Sequence, residues 1–219
     1  MAKNKNVITA KSENQRDYIR SIVSNPVTIG IGDAGCGKSF IPLGIAIEYI
    51  LYRPESALTK IVVTRPLVSV GKDIGSLPGS IDERIAPYFR PAYFNLLKIL
   101  KGDERKLKEL LANKDIMFEP LELMRGMTYD NSFIIVDEAQ DTLPEQMLMV
   151  MTRLGQNSKI IINGDLNQSD ILGENGLERC VDRLSDVEYA EIIKFGPADQ
   201  QRNTLINNIT KDFGPCKAR

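Results

Sequence analysis

The most informative segment of the chain follows the apolar run Val27–Ile31 and reads Gly32-Asp33-Ala34-Gly35-Cys36-Gly37-Lys38-Ser39. It fits the pattern GxxxxGK[ST], which joins a strand to a helix and wraps around phosphate groups. Glycines let the backbone curl until successive N–H groups point at phosphate oxygens, and the helix that follows adds its positive end. We therefore predict a phosphate-binding loop here, with a chance glycine-rich turn as the alternative.

The residue types within this loop predict separate roles. Lys38 is expected to reach the β- and γ-phosphates of a nucleotide as a point charge, and the Ser39 hydroxyl is expected to ligate Mg²⁺. The other loop residues, together with Phe40 directly after them, are the further candidate nucleotide contacts of this segment. Pro42 deletes a backbone hydrogen bond just inside the predicted helix, so we expect a kink or a tightened first turn there.

An acidic pair after the apolar run Phe133–Val136 forms a second candidate site. Ligands of open α/β sheets lie beyond the carboxyl ends of strands, which would place Asp137 and Glu138 beside the phosphate loop. Asp137 is then expected to support Mg²⁺ through water, and Glu138 to accept a proton from an attacking water. A carboxylate that activates water indicates hydrolysis. An acidic turn after a buried strand is the alternative.

Two more polar residues are candidates for catalysis. Gln168 ends the segment Asn163–Gln168 and could hydrogen-bond a γ-phosphate or the lytic water, although a plain Asx turn explains the same letters. Arg202 opens a predicted C-terminal helix and could stabilise transition-state charge as an arginine finger. A surface arginine is the alternative reading of Arg202.

Alternating apolar runs and helical patterns predict a doubly wound α/β domain with a mostly parallel sheet. Strands buried on both faces read as runs rich in Ile and Val with little alternation, and four such runs are Val27–Ile31, Ile61–Thr64, Phe133–Val136 and Ile160–Ile162. Val187–Phe195 alternates better and predicts an edge strand.

Helical patterns lie between and around these runs. They cover Ser12–Val23, Thr142–Leu154 and Asp199–Phe213. Ser12 is expected to cap the first of them, with Gln15 completing a capping box. The charge run Lys101–Asp115 predicts a solvated helix, with a nucleic-acid contact as the alternative.

Composition excludes several kinds of protein. The 219 residues contain no histidine, which excludes an imidazole base, triad or metal ligand. The net charge of −1 gives no sign of a basic nucleic-acid-binding domain, although a local basic groove stays open. The cysteines Cys36, Cys180 and Cys216 form no CxxC pair, which disfavours zinc or a disulfide framework and fits a reducing cytoplasm. The sequence contains no run of about 18 apolar residues, so we predict no membrane span.

The order of short motifs, from about Asn14 to Ile209, resembles the PhoH family of ATPases, which is similar to the ATPase half of superfamily 1 helicases. Besides the phosphate loop, the matching pieces are Asn14-Gln15, Thr64-Arg65-Pro66, Leu77-Pro78-Gly79, Pro87-Tyr88, Arg90-Pro91, Met124–Thr128, Ile135–Gln140, Pro144–Met147, Thr152–Gly155, Gly164–Gln168 and Arg202.

The resemblance implies one RecA-like P-loop NTPase domain over residues 12–213, with tails at 1–11 and 214–219, and with ATP and Mg²⁺ as ligands. By analogy with such helicases, Gln15 would contact adenine, Gln168 would sense the γ-phosphate and Arg202 would act as a finger or sensor. The stretch Arg65–Pro91 would lie near single-stranded nucleic acid. Departures from the family are Cys36 and Ser39, where threonines are common, and the unusual Pro42.

Several functions stay open at this point. The leading one is a Mg²⁺-dependent ATP hydrolase coupled to RNA or single-stranded DNA, and the alternative is an ATP-gated nucleic-acid-binding or assembly module with little turnover. The contact would be lined by Arg65, Lys72, Arg84, Arg90 and Arg125. A small-molecule kinase is less expected, because Glu138 would favour water. A guanine-nucleotide switch is disfavoured, because no DxxG follows the acidic strand.

A homo-oligomer is the remaining expectation. The chain is expected to hold one RecA-like domain, whereas a superfamily 1 helicase forms its cleft between two. If Arg202 acts on a phosphate in trans, a second subunit must supply it, and head-to-tail contacts close into rings. We therefore expect a homo-oligomer such as a hexameric ring.

Overall fold

The computed structural model describes residues 7–67 and 81–201 of the chain. Its strands are β1 (Val27–Ile31), β2 (Lys60–Arg65), β3 (Ile116–Pro120), β4 (Ser132–Val136), β5 (Lys159–Gly164) and β6 (Ala190–Lys194). Its helices are α1 (Glu13–Ser24), α2 (Phe40–Tyr52), α3 (Ile81–Ile99), α4 (Glu104–Ala112), α5 (Pro144–Met151) and α6 (Gly176–Leu184). Within these described ranges, no helix has the length and apolar character that a membrane crossing requires.

The six strands form one sheet in the order β3-β2-β4-β5-β1-β6, and every neighbouring pair is parallel. The prediction of an α/β domain with a mostly parallel sheet is confirmed. So is the prediction of an edge strand near the C-terminal end, since β6 closes one side. Because all strands run the same way, the loops after β4, β5 and β1 meet at one edge of the sheet.

Helices cover both faces of this sheet. Helices α1 to α4 pack on one face around residues such as Tyr18 and Leu107, and α5 and α6 pack on the other around residues such as Leu177. Successive residues of a strand point to opposite faces, so Val63 joins the first core while Val62 joins the second. This double burial explains why the inner strands β1, β2, β4 and β5 read as continuous apolar runs.

The helix ends differ in detail from the sequence patterns. The Ser12 hydroxyl accepts the backbone N–H of Gln15 (3.2 Å), as predicted for the cap of α1. The Gln15 side chain, however, accepts the N–H of Lys11 (2.8 Å) rather than that of Ser12, so the predicted capping box is not formed. Asp199 ends a short 3-10 turn, so the helix predicted to start there does not start at Asp199.

The charge run Lys101–Asp115 contains α4, as predicted, but the helix is not solvated all round. Its leucines Leu107 and Leu110 are buried against the core. The strand β3 follows directly, and the sequence patterns did not indicate it. The short run of Ile116, Met117 and Phe118 pairs with β2 at the edge of the sheet.

Candidate active site

The phosphate loop connects β1 to α2 and requires glycine at defined positions. Gly32 has φ 148° and Gly37 has φ 92°, a region that residues with a side chain rarely adopt. A Cβ on Gly32 would also lie 2.7 Å from the carbonyl oxygen of Phe195. The loop therefore needs these glycines both for its curl and for its contact with the segment after β6.

The loop forms one wall of a cleft of about 730 Å³ at the carboxyl edge of the sheet. The sequence-predicted residues that line it are Gln15, Ala34, Gly35, Gly37, Lys38, Ser39, Phe40, Asp137, Glu138 and Gln168. Gly32, Asp33 and Cys36 do not line the cleft. The Cys36 side chain is fully buried under the loop, and burial raises the pKa of its thiol. Arg202 lies outside the described residues.

The Lys38 ammonium group is turned back onto its own loop. It donates to the carbonyl oxygens of Gly32 and Asp33, the second at 2.7 Å. These two carbonyls hold the positive charge at the mouth of the loop. This positive charge would attract the phosphate oxygens of a nucleotide.

The Ser39 hydroxyl donates to Asp137 Oδ1 at 2.8 Å, and the Asp137 backbone N–H bonds to the Thr64 carbonyl at the end of β2. The pKa of Asp137 is raised by burial and by the charge of Glu138, against the lowering effects of the Ser39 hydrogen bond, Arg65 and Lys38. A hydroxyl oxygen beside a carboxylate oxygen matches the hard oxygen ligands of Mg²⁺. Ser39 and Asp137 are therefore the residues that would hold this cation.

Glu138 adopts an unusual backbone conformation directly after Asp137. Its φ of 55° and ψ of 44° place it in the left-handed region. Its side chain reaches the cleft and accepts a hydrogen bond from Gln140 Nε2 at 2.8 Å. Of the five non-glycine residues with positive φ in the described part of the chain, Glu138 is the one that lines the cleft. Its position there, together with the strain, supports a catalytic reading over a plain acidic turn.

The loop after β5 lies between the loops after β4 and β1 and contributes further polar residues to the cleft. The Asx turn considered for this segment is present, because Asp165 Oδ1 accepts the Asn167 N–H at 2.9 Å. The other oxygen, Oδ2, accepts Gln168 Nε2 at 2.8 Å. Asp165 and Gln168 both line the cleft, so the turn orients Gln168 toward it. The sequence analysis did not single out Asp165, although its motif Gly164–Gln168 was recognised.

Pro42 lies in the first turn of α2, which continues through it to Tyr52. Its missing N–H would otherwise bond to the carbonyl four residues earlier, that of Lys38. Asn163 Nδ2 donates to the Lys38 carbonyl at 2.8 Å. The Tyr18 hydroxyl lies 3.3 Å from the same carbonyl oxygen and also bonds to Asn163 Oδ1. The proline thus leaves an acceptor that ties the phosphate loop to β5 and α1.

The far end of the cleft is formed by α1 and by the residues before it. Gln15 is 3% exposed, donates from Nε2 to the Cys36 carbonyl (3.0 Å) and accepts the Lys11 N–H. Ile8 and Lys98 line this end too, and Lys98 Nζ lies 5.5 Å from the centre of the Phe40 ring. Residues that the sequence analysis placed in an N-terminal tail therefore help to form the cleft.

The arginines considered for nucleic acid lie along neighbouring elements. Arg65 ends β2 and donates to the Tyr88 carbonyl of α3 (3.0 Å), while Arg84 and Arg90 lie on α3. Arg125 is exposed and follows β3 at the same edge of the sheet. Lys72 and Leu77-Pro78-Gly79 lie outside the described residues.

Comparison with known proteins supports the fold and the family resemblance. The family model described as PhoH-like protein matches residues 7–214. A PhoH-like protein of Synechocystis is 36% identical over 94% of this chain and 62% of its own length, and Protein PhoH of Escherichia coli K12 is 37% identical over 90% and 56%. The chain thus spans about three fifths of the curated relatives it matches. The HK97 bacteriophage large terminase has a similar fold, with a TM-score of 0.56 and 14% identity over 89% of this chain and 44% of that one.

Proposed function

The chain belongs to the PhoH-like protein family, and from that premise we propose that it binds ATP with Mg²⁺ and hydrolyses it. The family and the fold support a P-loop NTPase. The observation that carries the proposal is one cleft that holds Lys38, the hydrogen-bonded pair Ser39 and Asp137, and Glu138. These are the groups that bind a triphosphate, hold its cation and activate water.

We assign the reaction steps to this chain's residues as follows. Backbone N–H groups of the loop and the Lys38 ammonium bind the phosphates and stabilise the charge that develops on them. Mg²⁺, held by Ser39 and Asp137, would add further positive charge when it is bound. Glu138 accepts the proton of the attacking water. Gln168 contacts the γ-phosphate or that water, and Arg202 is proposed as a finger.

The proposed preference for adenine is supported by the way Gln15 is held. Its Nε2 faces the Cys36 carbonyl and its Oε1 faces the Lys11 N–H, which fixes the donor and acceptor ends of the amide. One N–H and one lone pair are left, which match the N6 donor and N7 acceptor of adenine. Guanine offers two acceptors at the equivalent positions, so we propose ATP over GTP.

We propose that RNA or single-stranded DNA stimulates the reaction and contacts the arginines near the carboxyl ends of β2 and β3. Arg65 connects this surface to the site, because it bonds to α3 and its charge acts on Asp137. Positive side chains at one edge would attract a phosphate backbone. A cytoplasmic location and a homo-oligomeric ring complete the proposal.

The test measures phosphate release from ATP with and without single-stranded RNA. Glu138→Gln should bind ATP as the unchanged protein does and release phosphate about 10²- to 10⁴-fold more slowly, because the general base is lost. The exposed Glu145 of α5 is a matched control, and Glu145→Gln should turn over normally. Wild-type turnover in Glu138→Gln would refute this base. ATP binding with negligible wild-type turnover would favour the ATP-gated binding module instead.

A further inference from the structure

Gln140 is a buried polar side chain beside the cleft that the reaction steps above do not use. It lies in the short 3-10 turn Ala139–Asp141 after Glu138 and is 3% exposed. It does not line the cleft itself. A buried amide needs partners for both its donor and its acceptor. The hydrogen-bond partners of Gln140 therefore indicate which groups it positions.

Both ends of this amide bond to active-site segments. Gln140 Nε2 donates to Glu138 Oε2 at 2.8 Å, and Gln140 Oε1 accepts the backbone N–H of Asp165 at 3.0 Å. The carboxylate can only accept and the N–H can only donate, so the orientation of the amide is determined. Gln140 therefore joins the loop after β4 to the loop after β5.

The connection continues from Asp165 to the cleft. Asp165 Oδ2 accepts the side-chain amide of Gln168 at 2.8 Å, and Asp165 is 5% exposed. An unbroken series of hydrogen bonds thus runs from Glu138 through Gln140 and Asp165 to Gln168. The two residues proposed to contact water and γ-phosphate are its two ends.

Two further features of the fold fix the position of Gln140. A Cβ on Gly164 would lie 2.5 Å from Gln140 Oε1, so the last residue of β5 has no room for a side chain. The Ser169 hydroxyl donates to the Gln140 carbonyl at 2.9 Å. Gln140 is consequently held in one place, and it can hold its partners in place in turn.

We propose that Gln140 is a positioning residue for hydrolysis, which fixes the Glu138 carboxylate and couples it to the loop that carries Gln168. This inference rests on the proposed function. The Gln140 N–H occupies one carboxylate oxygen and leaves the other for water. Movement of the loop after β5, on contact of Gln168 with a γ-phosphate, is transmitted to Glu138 through the same amide.

A nearly isosteric substitution tests the donor end of the amide. Gln140→Glu keeps the shape and an acceptor for the Asp165 N–H but places a carboxylate against Glu138. It should lower kcat about 10- to 100-fold, because a displaced base loses its alignment, and change the affinity for a non-hydrolysable ATP analogue less than about threefold. Gln156→Glu makes the same chemical change at an exposed loop residue and should leave both quantities unchanged.

Gln140→Met, which removes both hydrogen bonds without adding charge, should show the same split between kcat and analogue affinity. A double substitution with Gln168→Ala then tests the coupling. If the two residues act through one series of bonds, the kcat of the double variant should be only slightly lower than that of the less active single variant. Multiplied losses would overturn the coupling.

The results separate this inference from the proposed function. An active wild-type protein with wild-type kcat in both Gln140 variants would overturn the inference alone. Equal losses of kcat and analogue affinity in both variants would also overturn it, because they indicate a merely structural residue. A wild-type protein that binds the analogue but releases no phosphate would overturn the hydrolytic function and, with it, the role of Gln140.

Discussion

The backbone of Glu138 lies in the left-handed region (φ 55°, ψ 44°), which costs a residue with a side chain about 1–2 kcal/mol. The neighbouring contacts compensate this cost, since Asp137 bonds to β2 and Ser39 while Gln140 holds the Glu138 side chain. The strained turn points the carboxylate into the cleft beside the phosphate loop. The backbone conformation that places the proposed base in the cleft therefore lowers the stability of the fold at this residue.

This cost predicts that the usual order of stability of an alanine and a glycine variant is reversed at Glu138. Glu138→Gly should be more stable than Glu138→Ala by about 1 kcal/mol in the free energy of unfolding, because glycine adopts this conformation without strain. Both variants should lack phosphate release. Urea denaturation of the two proteins measures the difference.

The control for this pair is Glu109, which is exposed in the interior of the regular helix α4. There the order should be the usual one, with the alanine variant more stable than the glycine variant by about 1 kcal/mol. The same order at both positions would show that the backbone of Glu138 carries no strain.

The start of α2 shows how one helix is fixed to the rest of the fold. Pro42 supplies no N–H to the Lys38 carbonyl, and Asn163 of β5 supplies one in its place at 2.8 Å. Asn163 is fully buried and also bonds to Tyr18 of α1. The effect of Pro42 is thus matched by two side chains, Asn163 and Tyr18, that anchor the phosphate loop to neighbouring elements.

A double-mutant cycle tests this compensation. Asn163→Ala should destabilise the protein by about 1–3 kcal/mol, because a buried carbonyl loses its main donor. In a Pro42→Ala background the restored N–H can bond to the Lys38 carbonyl, so the same substitution should cost about 1 kcal/mol less. The loss of the Tyr18 contact is common to both backgrounds and cancels. Equal costs in both backgrounds, measured by urea denaturation, would contradict the explanation.

The arrangement of the whole sheet assembles the cleft from distant segments. The central strands lie in the order β4-β5-β1, so Glu138, Gln168 and Lys38 follow adjacent parallel strands. Their shared edge is the usual place for ligands in such sheets. In the proposed ring, a second subunit would contribute a residue at this edge.

Mixed oligomers test whether Arg202 acts across subunits. Arg202→Ala and Lys38→Ala proteins should each be inactive alone. In a randomly mixed equimolar ring, about a quarter of the sites combine an intact Lys38 with an intact Arg202 of the neighbour, because interfaces in a ring are head to tail. Phosphate release should recover to about that fraction of the wild-type rate. Absence of recovery in mixed assemblies would favour an Arg202 that acts within its own chain.

Much of this protein could be read from local patterns. The phosphate loop is contiguous, and its geometry depends on glycines at fixed spacing. The strand β1 matches the predicted Val27–Ile31 at both ends, because strands covered on both faces read as uninterrupted apolar runs. The edge strand β3 was missed, since it is short, half-exposed in its centre and defined mainly by its pairing with β2.

The contacts that organise the cleft were not accessible in this way. Gln140 and Asp165 are 25 residues apart, and Lys38 and Asn163 are 125 apart. A glutamine or asparagine in a motif carries no local sign of its partner, because a hydrogen bond depends on distance in space and not along the chain. Residue order indicated which groups are candidates for the chemistry, and the packing of strands and helices determined which side chains hold those groups in place.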